Sequence, residues 1–188
     1  MAKDFIVAIE LGSSKITGVA GKKNPDGSIT VLSVAKEDSK ACMRKGVVYN
    51  IDKTAQALTS IINKLKGSLQ TDIARVYVGV GGQSLKGVKN VVVKDLPADS
   101  IVTQDIVNEL MDTNRNMKNN DYEVLDAITQ EYKVDMLDEL NPVGVQACHI
   151  EGNFLNLLWR KTFNRSLNKC FDNAGIPIVE MYVTPLAM

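Results

Sequence analysis

Along the first 35 residues the apolar positions come in three short runs separated by polar turns. Phe5 to Ile9 is continuously apolar and rich in strand formers, which predicts a central strand buried on both faces. Ile16 to Gly21 and Ile29 to Ala35 follow as a second and a third strand, joined through Gly12-Ser13-Ser14 and Asn24-Pro25-Asp26-Gly27, so the three form a meander. From Ile51 the period lengthens. Ile51, Ala55, Leu58, Ile62 and Leu65 fall on one stripe with Lys53, Lys64 and Lys66 off it, the pattern of an amphipathic helix lying on a sheet. Asn50 is its expected N-cap and Gly67 its expected stop. Arg75 to Val80 returns to strand and ends at Gly81-Gly82.

Beyond Gly82 the pattern changes character. A strand at Val88 to Val93 is followed by a helix capped by Thr103 that carries Ile106, Val107, Leu110 and Met111, and then by a polar stretch from Asn114 to Asp121. From Ile128 to Met136, Tyr132, Val134 and Met136 alternate with Glu131, Lys133 and Asp135, as in a strand with one wet face. The turn Asn141-Pro142-Val143-Gly144 leads into a last strand of this small β-α-β-β module. Phe163, Leu167, Cys170, Phe171 and Ala174 then mark a second amphipathic helix, closed by Gly175 with Pro177 beyond it, before Ile178 to Val183. No internal repeat or low-complexity tract interrupts the order.

Composition narrows the classes. The chain has 188 residues, enough for one domain or two small ones with a real core. Lys+Arg and Asp+Glu both number 22, and the basic residues are scattered rather than gathered in a stripe, which argues against a nucleic-acid partner. After Met1, Lys3 and Asp4 the apolar run is too short for a signal-peptide core or a membrane span, so a cytosolic chain is expected. Cys42, Cys148 and Cys170 are odd in number and lack C-x-x-C spacing, which points to reduced, mostly buried thiols rather than disulfides or a zinc site.

The chemistry concentrates at Ile9-Glu10-Leu11-Gly12-Ser13-Ser14-Lys15. A glycine and two small hydroxyl residues joining two buried strands leave backbone N–H groups free to face an anion. Gly12 would permit close approach, Ser13 or Ser14 would add a hydroxyl donor, Lys15 a charge, and Glu10 could hold a metal through water. The same tripeptide would serve equally well as a plain hairpin turn, and the motif alone leaves both readings open.

Other candidates read as structural. His149 and Cys148 are strand neighbours whose side chains point to opposite faces, so they do not form a pair. Gly79, Gly81 and Gly82 lack the G-x-G-x-x-G spacing of a dinucleotide loop and mark an exit from the strand into the next module. Asn164-Arg165-Ser166 matches the glycosylation pattern by chance, inside a helix. Lys22-Lys23 and Lys64-x-Lys66 read as solvated faces. No catalytic residue and no protein metal site is expected.

A strand, (Asp/Glu)-x-Gly-(Ser/Thr)-x-Lys and a second strand at the head of a β-β-β-α-β order resemble the first phosphate loop of the actin, Hsp70 and sugar-kinase superfamily. Within it the chain resembles the bacterial cell-division FtsA family. The likeness lies in Glu10 to Lys15, Lys45-Gly46-Val47-Val48, Val76 to Gly82, Val102-Thr103-Gln104-Asp105, Gln130-Glu131-Tyr132-Lys133-Val134-Asp135 and Asn141-Pro142-Val143-Gly144. The last two stretches fall in an insertion peculiar to that family and are its most specific signal.

The resemblance implies an α/β fold, an actin-like (ribonuclease H-like) subdomain with a mixed sheet. Residues 1–84 would be the first part of subdomain 1A, 85–159 an inserted α+β (β-α-β-β) subdomain 1C, and 160–188 the return to 1A. It implies ATP with Mg²⁺ as the full-length cofactor, bound in part by Glu10, Gly12, Ser13, Ser14 and Lys15. It implies self-association into filaments, anchoring of the tubulin-like protein FtsZ, recruitment of later division proteins through contacts of the insertion, and a place at the inner face of the cell membrane. Turnover of ATP would be slow or absent. Glu10 departs from the aspartate common elsewhere in the superfamily. The family's second phosphate loop, adenosine-binding residues and terminal membrane helix lie beyond Met188, so this stretch alone is expected to hold no ATP. A few charge-assisted hydrogen bonds contribute about 1.5–3 kcal/mol each before the costs of association are subtracted, which leaves millimolar affinity at best. Two rivals share the loop. A sugar-kinase-type phosphotransferase would need a catalytic aspartate, and a pilus-assembly module of the same fold would bind a membrane-protein peptide.

Overall fold

The expected meander forms. β1 (Ile6–Leu11) pairs antiparallel with β2 (Lys15–Lys23), and β2 with β3 (Ile29–Asp38) across a bulge at Ala20/Gly21. The structure is a computed structural model that describes residues 5–82 and 85–184. The lead from Met1 to Asp4 and the stretch from Pro185 to Met188 fall outside the described residues. Contacts divide the chain into two units, Met1–Ser84 with Arg160–Met188, and Leu85–Trp159.

In the first unit a short hairpin, β4 (Met43–Arg44) and β5 (Val47–Val48), precedes α1 (Ile51–Leu69). β6 (Val76–Val80) joins β1 in parallel. After the second unit the chain returns through α3 (Lys161–Ala174) to β11 (Ile178–Val183), which pairs in parallel with β6. The sheet order is β11-β6-β1-β2-β3. Both parallel steps advance in one direction, and right-handed crossovers of that kind leave their helices on one face. Accordingly α1 and α3 pack together. They bury Leu58, Ile61, Leu65, Leu167, Cys170 and Phe171.

That topology corrects the expectation for β1. Val7, Ile9 and Leu11 are buried, while Ile6, Ala8 and Glu10 are exposed, so its continuous apolar run fills one face only. Ile29, Val31, Leu32 and Val34 on β3 are exposed as well. A second correction concerns Gly67. The helix continues through it to Leu69 and is closed by Gln70 at φ 53°, whose N–H donates to the Lys66 carbonyl. Gln70 Nε2 also donates to the Gly67 carbonyl, so a side-chain amide supports the left-handed cap. Asn50 caps α1 as expected, Oδ1 accepting from Lys53 N–H at 2.9 Å. Lys64 is no freely solvated face residue, because it pairs with Glu37 on β3 at 2.6 Å.

The second unit contains β7 (Leu85–Asp95), α2 (Gln104–Arg115), β8 (Tyr122–Val134), β9 (Leu137–Glu139) and β10 (His149–Arg160), in the sheet order β7-β10-β8-β9. Thr103 caps α2. Val102, Leu110, Tyr132, Val134, Ala147, Ile150 and Phe154 form the core. Tyr132 meets Phe154 edge-on at 6.4 Å between centroids. Met136 is not a strand residue. Asp135 and Met136 both take positive φ, 45° and 75°, in the two-residue turn between β8 and β9, and Met136 is fully out in solvent. A turn with φ > 0 at both central residues suits the strand twist, and that requirement overrides the alternation read from sequence. No helix among the described residues is long and apolar enough to cross a membrane.

Candidate phosphate-binding cavity

Because β1, β6 and β11 are parallel, their carboxyl ends reach the same edge of the sheet, where ligands of open α/β sheets bind. A cavity of about 200 Å³ lies there. Glu10, Leu11, Gly12 and Ser13 line one side, Gly81, Gly82 and Thr184 the strand ends beside it, and Gly46 the tip of the β4–β5 hairpin. Its volume is below the roughly 300–1,000 Å³ usual for a whole small-molecule site, and suits a phosphate or two rather than a complete nucleotide.

The first turn is tied at three points. Gly12 N–H donates to the Lys15 carbonyl at 3.1 Å, the Gly12 carbonyl accepts from Ser39 Oγ at 2.7 Å, and Ser39 N–H donates to the Ser14 carbonyl at 3.2 Å. Ser39 is fully buried, so the turn is pinned from beneath. A Cβ on Gly12 would lie 2.7 Å from the Lys15 carbonyl oxygen. The turn itself therefore demands glycine here, whatever the cavity holds. Among the described residues the N–H groups of Ser13 and Ser14 meet no acceptor.

Ser13 Oγ accepts a 2.8 Å hydrogen bond from Gly46 N–H, which links the turn to the hairpin tip. Lys45 and Gly46 have φ 51° and 76°, the geometry of a tight two-residue hairpin. Gly82, at φ 84°, sits against that tip, and a Cβ there would come within 3.1 Å of Gly46 Cα. The structure thus brings Glu10, Gly12 and Ser13 to the cavity wall. Ser14 and Lys15 belong to the same turn but are exposed and not among the lining residues.

Gly46, Gly81, Gly82 and Thr184 were not anticipated as site residues. For the glycines the signal was present, in Lys45-Gly46 and Gly81-Gly82, but it carried no information on where the turns converge. Thr184 gave no signal.

The thiols divide two to one. Cys42 and Cys170 are buried and Cys148 is exposed. Burial pushes the Cys170 thiol up to about 11 and also raises that of Cys42. In the second unit the Asp135 carboxylate accepts from the N–H groups of Cys148 and His149, and His149 lies between Asp95 at 2.7 Å and Glu151 at 3.3 Å. The hydrogen bond the ring gives to Asp95, and secondarily the one it gives to Glu151, raises the imidazole pKa above its ordinary value. His149 is thus a brace between β7 and β10. Among the described residues no three His, Cys, Asp or Glu side chains are grouped as a metal would need.

Comparison with known proteins bears on both units. Residues 82–158 match the family described as the SHS2 domain inserted in FTSA. The chain is 31% identical over 182 residues to the cell division protein FtsA of Porphyromonas gingivalis, covering 95% of itself and 38% of that protein. The chain is a relative of FtsA. The FtsA of Neisseria meningitidis is 25% identical over 97% of this chain and 44% of its own length. The chain thus spans less than half the length of these FtsA relatives. Among solved structures, one described as the PilM-PilN type IV pilus biogenesis complex superposes with a TM-score of 0.62 over 97% of this chain and 48% of that one, at 14% identity. That likeness is one of fold, an actin-like α/β arrangement with a mixed sheet, and the FtsA-type insertion lies between its β6 and α3.

Proposed function

We propose that this chain forms part of an actin-like cell-division scaffold, in which the cavity at the end of β1 receives the phosphates of ATP and the inserted unit contacts other division proteins. What carries the reading is relatedness to FtsA along nearly the whole chain, insertion included. The cavity is chemically consistent with the phosphate role. Among the described residues the N–H groups of Ser13 and Ser14 and the Ser13 hydroxyl proton meet no acceptor, and backbone donors at a tight turn suit phosphate.

In this reading Gly12, Ser13 and the neighbouring Ser14 hold phosphate oxygens. Lys15 supplies charge from the rim, and Glu10 faces the water shell of Mg²⁺. The metal supplies charge neutralisation of the phosphates when bound. ATP acts by favouring one conformation over another, which requires different affinities for the two, so that polymerisation beneath the membrane, anchoring of FtsZ and recruitment of later division proteins follow nucleotide state.

The test is localisation. A fluorescent fusion of the chain, expressed in a dividing bacterium with an FtsA of its own, is expected to concentrate at the division site. Diffuse fluorescence throughout the cycle would refute a division role for this part of the protein.

A further inference from the structure

The zero net charge of the chain hides an uneven division. Residues 85–159 hold 13 of the 22 acidic side chains and 6 of the 22 basic ones, a formal charge of −7, so the remainder of the chain carries +7. Opposite signs on the two units favour association of copies through unlike units and oppose it through like ones.

Each unit shows its sign on one helix. α2 buries Leu110 and Asn114, and Asp105, Glu109 and Asp112, at i, i+4 and i+7, stand exposed on the side away from them. α3 buries Phe163, Leu167, Cys170 and Phe171, and Lys161, Arg165 and Lys169, at i, i+4 and i+8, lie on the side opposite that core. Each row closes with one exposed residue of the other sign, Arg115 on α2 and Asp172 on α3. From N- to C-terminus α2 therefore presents acid, acid, acid, base, and α3 presents base, base, base, acid. At about 1.5 Å per residue the rows span about 15 and 17 Å, so laid parallel they match charge for charge, whereas antiparallel they oppose like charges at both ends. Glu109 is already held by Lys94 on β7. Asp105, Asp112, Arg165 and Lys169 form no ion pair among the described residues.

We infer that α2 of one copy docks on α3 of a second copy of this chain, side by side and parallel, with Asp105 and Asp112 set against Lys161 and Lys169. The inference rests on the self-association part of the proposed function and names its surfaces. Exposed ion pairs are individually weak, so the contact forms at high protein concentration and dissolves in salt.

Sedimentation equilibrium on the 188-residue chain measures this. Near millimolar protein in about 10 mM sodium chloride, where charges act over about 30 Å, the weight-average mass is expected to stand about half again above the monomer. In about 1 M salt, where charges act over about 3 Å, it is expected to return to the monomer. Arg165→Glu with Lys169→Glu is expected to be monomeric at low salt, and so is Asp105→Lys with Asp112→Lys. The first variant is acidic on both helices and the second basic on both, so an equal mixture of the two is expected to restore the mass. A wild type that is monomeric at every salt concentration, an association that 1 M salt leaves intact, variants that associate as the wild type does, or a mixture that stays monomeric would each overturn the inference. A monomeric chain that cosediments with phosphatidylglycerol vesicles, and loses them in Arg165→Glu with Lys169→Glu, would assign α3 to an anionic lipid surface and overturn it as well. Should a reversed variant not fold, Arg165→Gln with Lys169→Gln and Asp105→Asn with Asp112→Asn take its place, each expected to lower the low-salt mass toward the monomer. The readout is in solution, so its failure leaves the division role to the localisation test.

Discussion

The two units place their polar groups differently: the second buries an asparagine network, and the first exposes a polar turn. In the second, Asn114 and Asn156 are fully buried and exchange amide hydrogen bonds at 2.7 and 2.8 Å, while Asn90 donates to Asn114 at 2.9 Å. The side-chain amides of Asn90, Asn114 and Asn156 therefore satisfy one another inside the unit, while Asn153 Nδ2 on β10 is buried without a partner among the described residues. In the first, the N–H groups of Ser13 and Ser14 and the Ser13 hydroxyl proton meet no acceptor among the described residues, at an exposed turn of which Ser13 lines the cavity. A satisfied polar network fixes packing, whereas exposed donors at a pinned turn stay open to water or to a ligand. The contrast separates residues that hold the fold from residues that remain accessible at its surface.

The largest effect that tests this contrast lies in the apolar core. Phe154→Ala is expected to destabilise the second unit by about 3–5 kcal/mol, read from urea denaturation, because it empties a fully buried site against Tyr132. A loss below about 1 kcal/mol would mean that this core is loosely packed.

Next comes the asparagine network. Asn114→Leu alone strands the amides of Asn156 and Asn90 and should cost about 1–3 kcal/mol per stranded group, while Asn114→Leu with Asn156→Leu should recover part of the loss. Equal losses in the single and double variants would break the view that mutual satisfaction matters. Ser13→Ala, by contrast, should lower stability by no more than about 1 kcal/mol, since it deletes one bond at an exposed hydroxyl. A loss as large as that of Asn114→Leu would turn Ser13 into a structural residue.

The smallest effect is a pH dependence. The pKa of His149 is raised from 6.5 in the folded chain, chiefly by Asp95 and then by Glu151. Its contribution is therefore fully present below the unfolded value and is lost as pH rises through the higher folded value. Midpoints of urea unfolding should fall slightly between pH 6.5 and mildly alkaline pH in the wild type, and Asp95→Asn should flatten that slope. An identical slope in the variant would remove Asp95 as the cause.

Much of the local structure was readable from residues one to four apart. The caps at Asn50, Thr103 and Gly175, the stripe of α1 and the meander of β1 to β3 rest on local hydrogen bonds and periodicity, and they stand where the pattern puts them. Errors arose where a local signal competed with a neighbour. Gly67 gave way to Gln70, whose side-chain amide supports its left-handed cap, and Met136 left the strand for a turn that needs positive φ.

The sequence by itself determined that a glycine and two serines join two strands at the head of an α/β order, and that a different pattern begins after Gly82. Only tertiary structure decided that Gly46, Gly82 and Thr184 meet Gly12 and Ser13 around one cavity, and that β1 is buried on a single face. Caps and stripes follow from energies between near neighbours in the chain. Convergence depends on the parallel pairing of β1 with β6 and of β6 with β11, residues about 70 and about 100 apart whose register no local preference encodes.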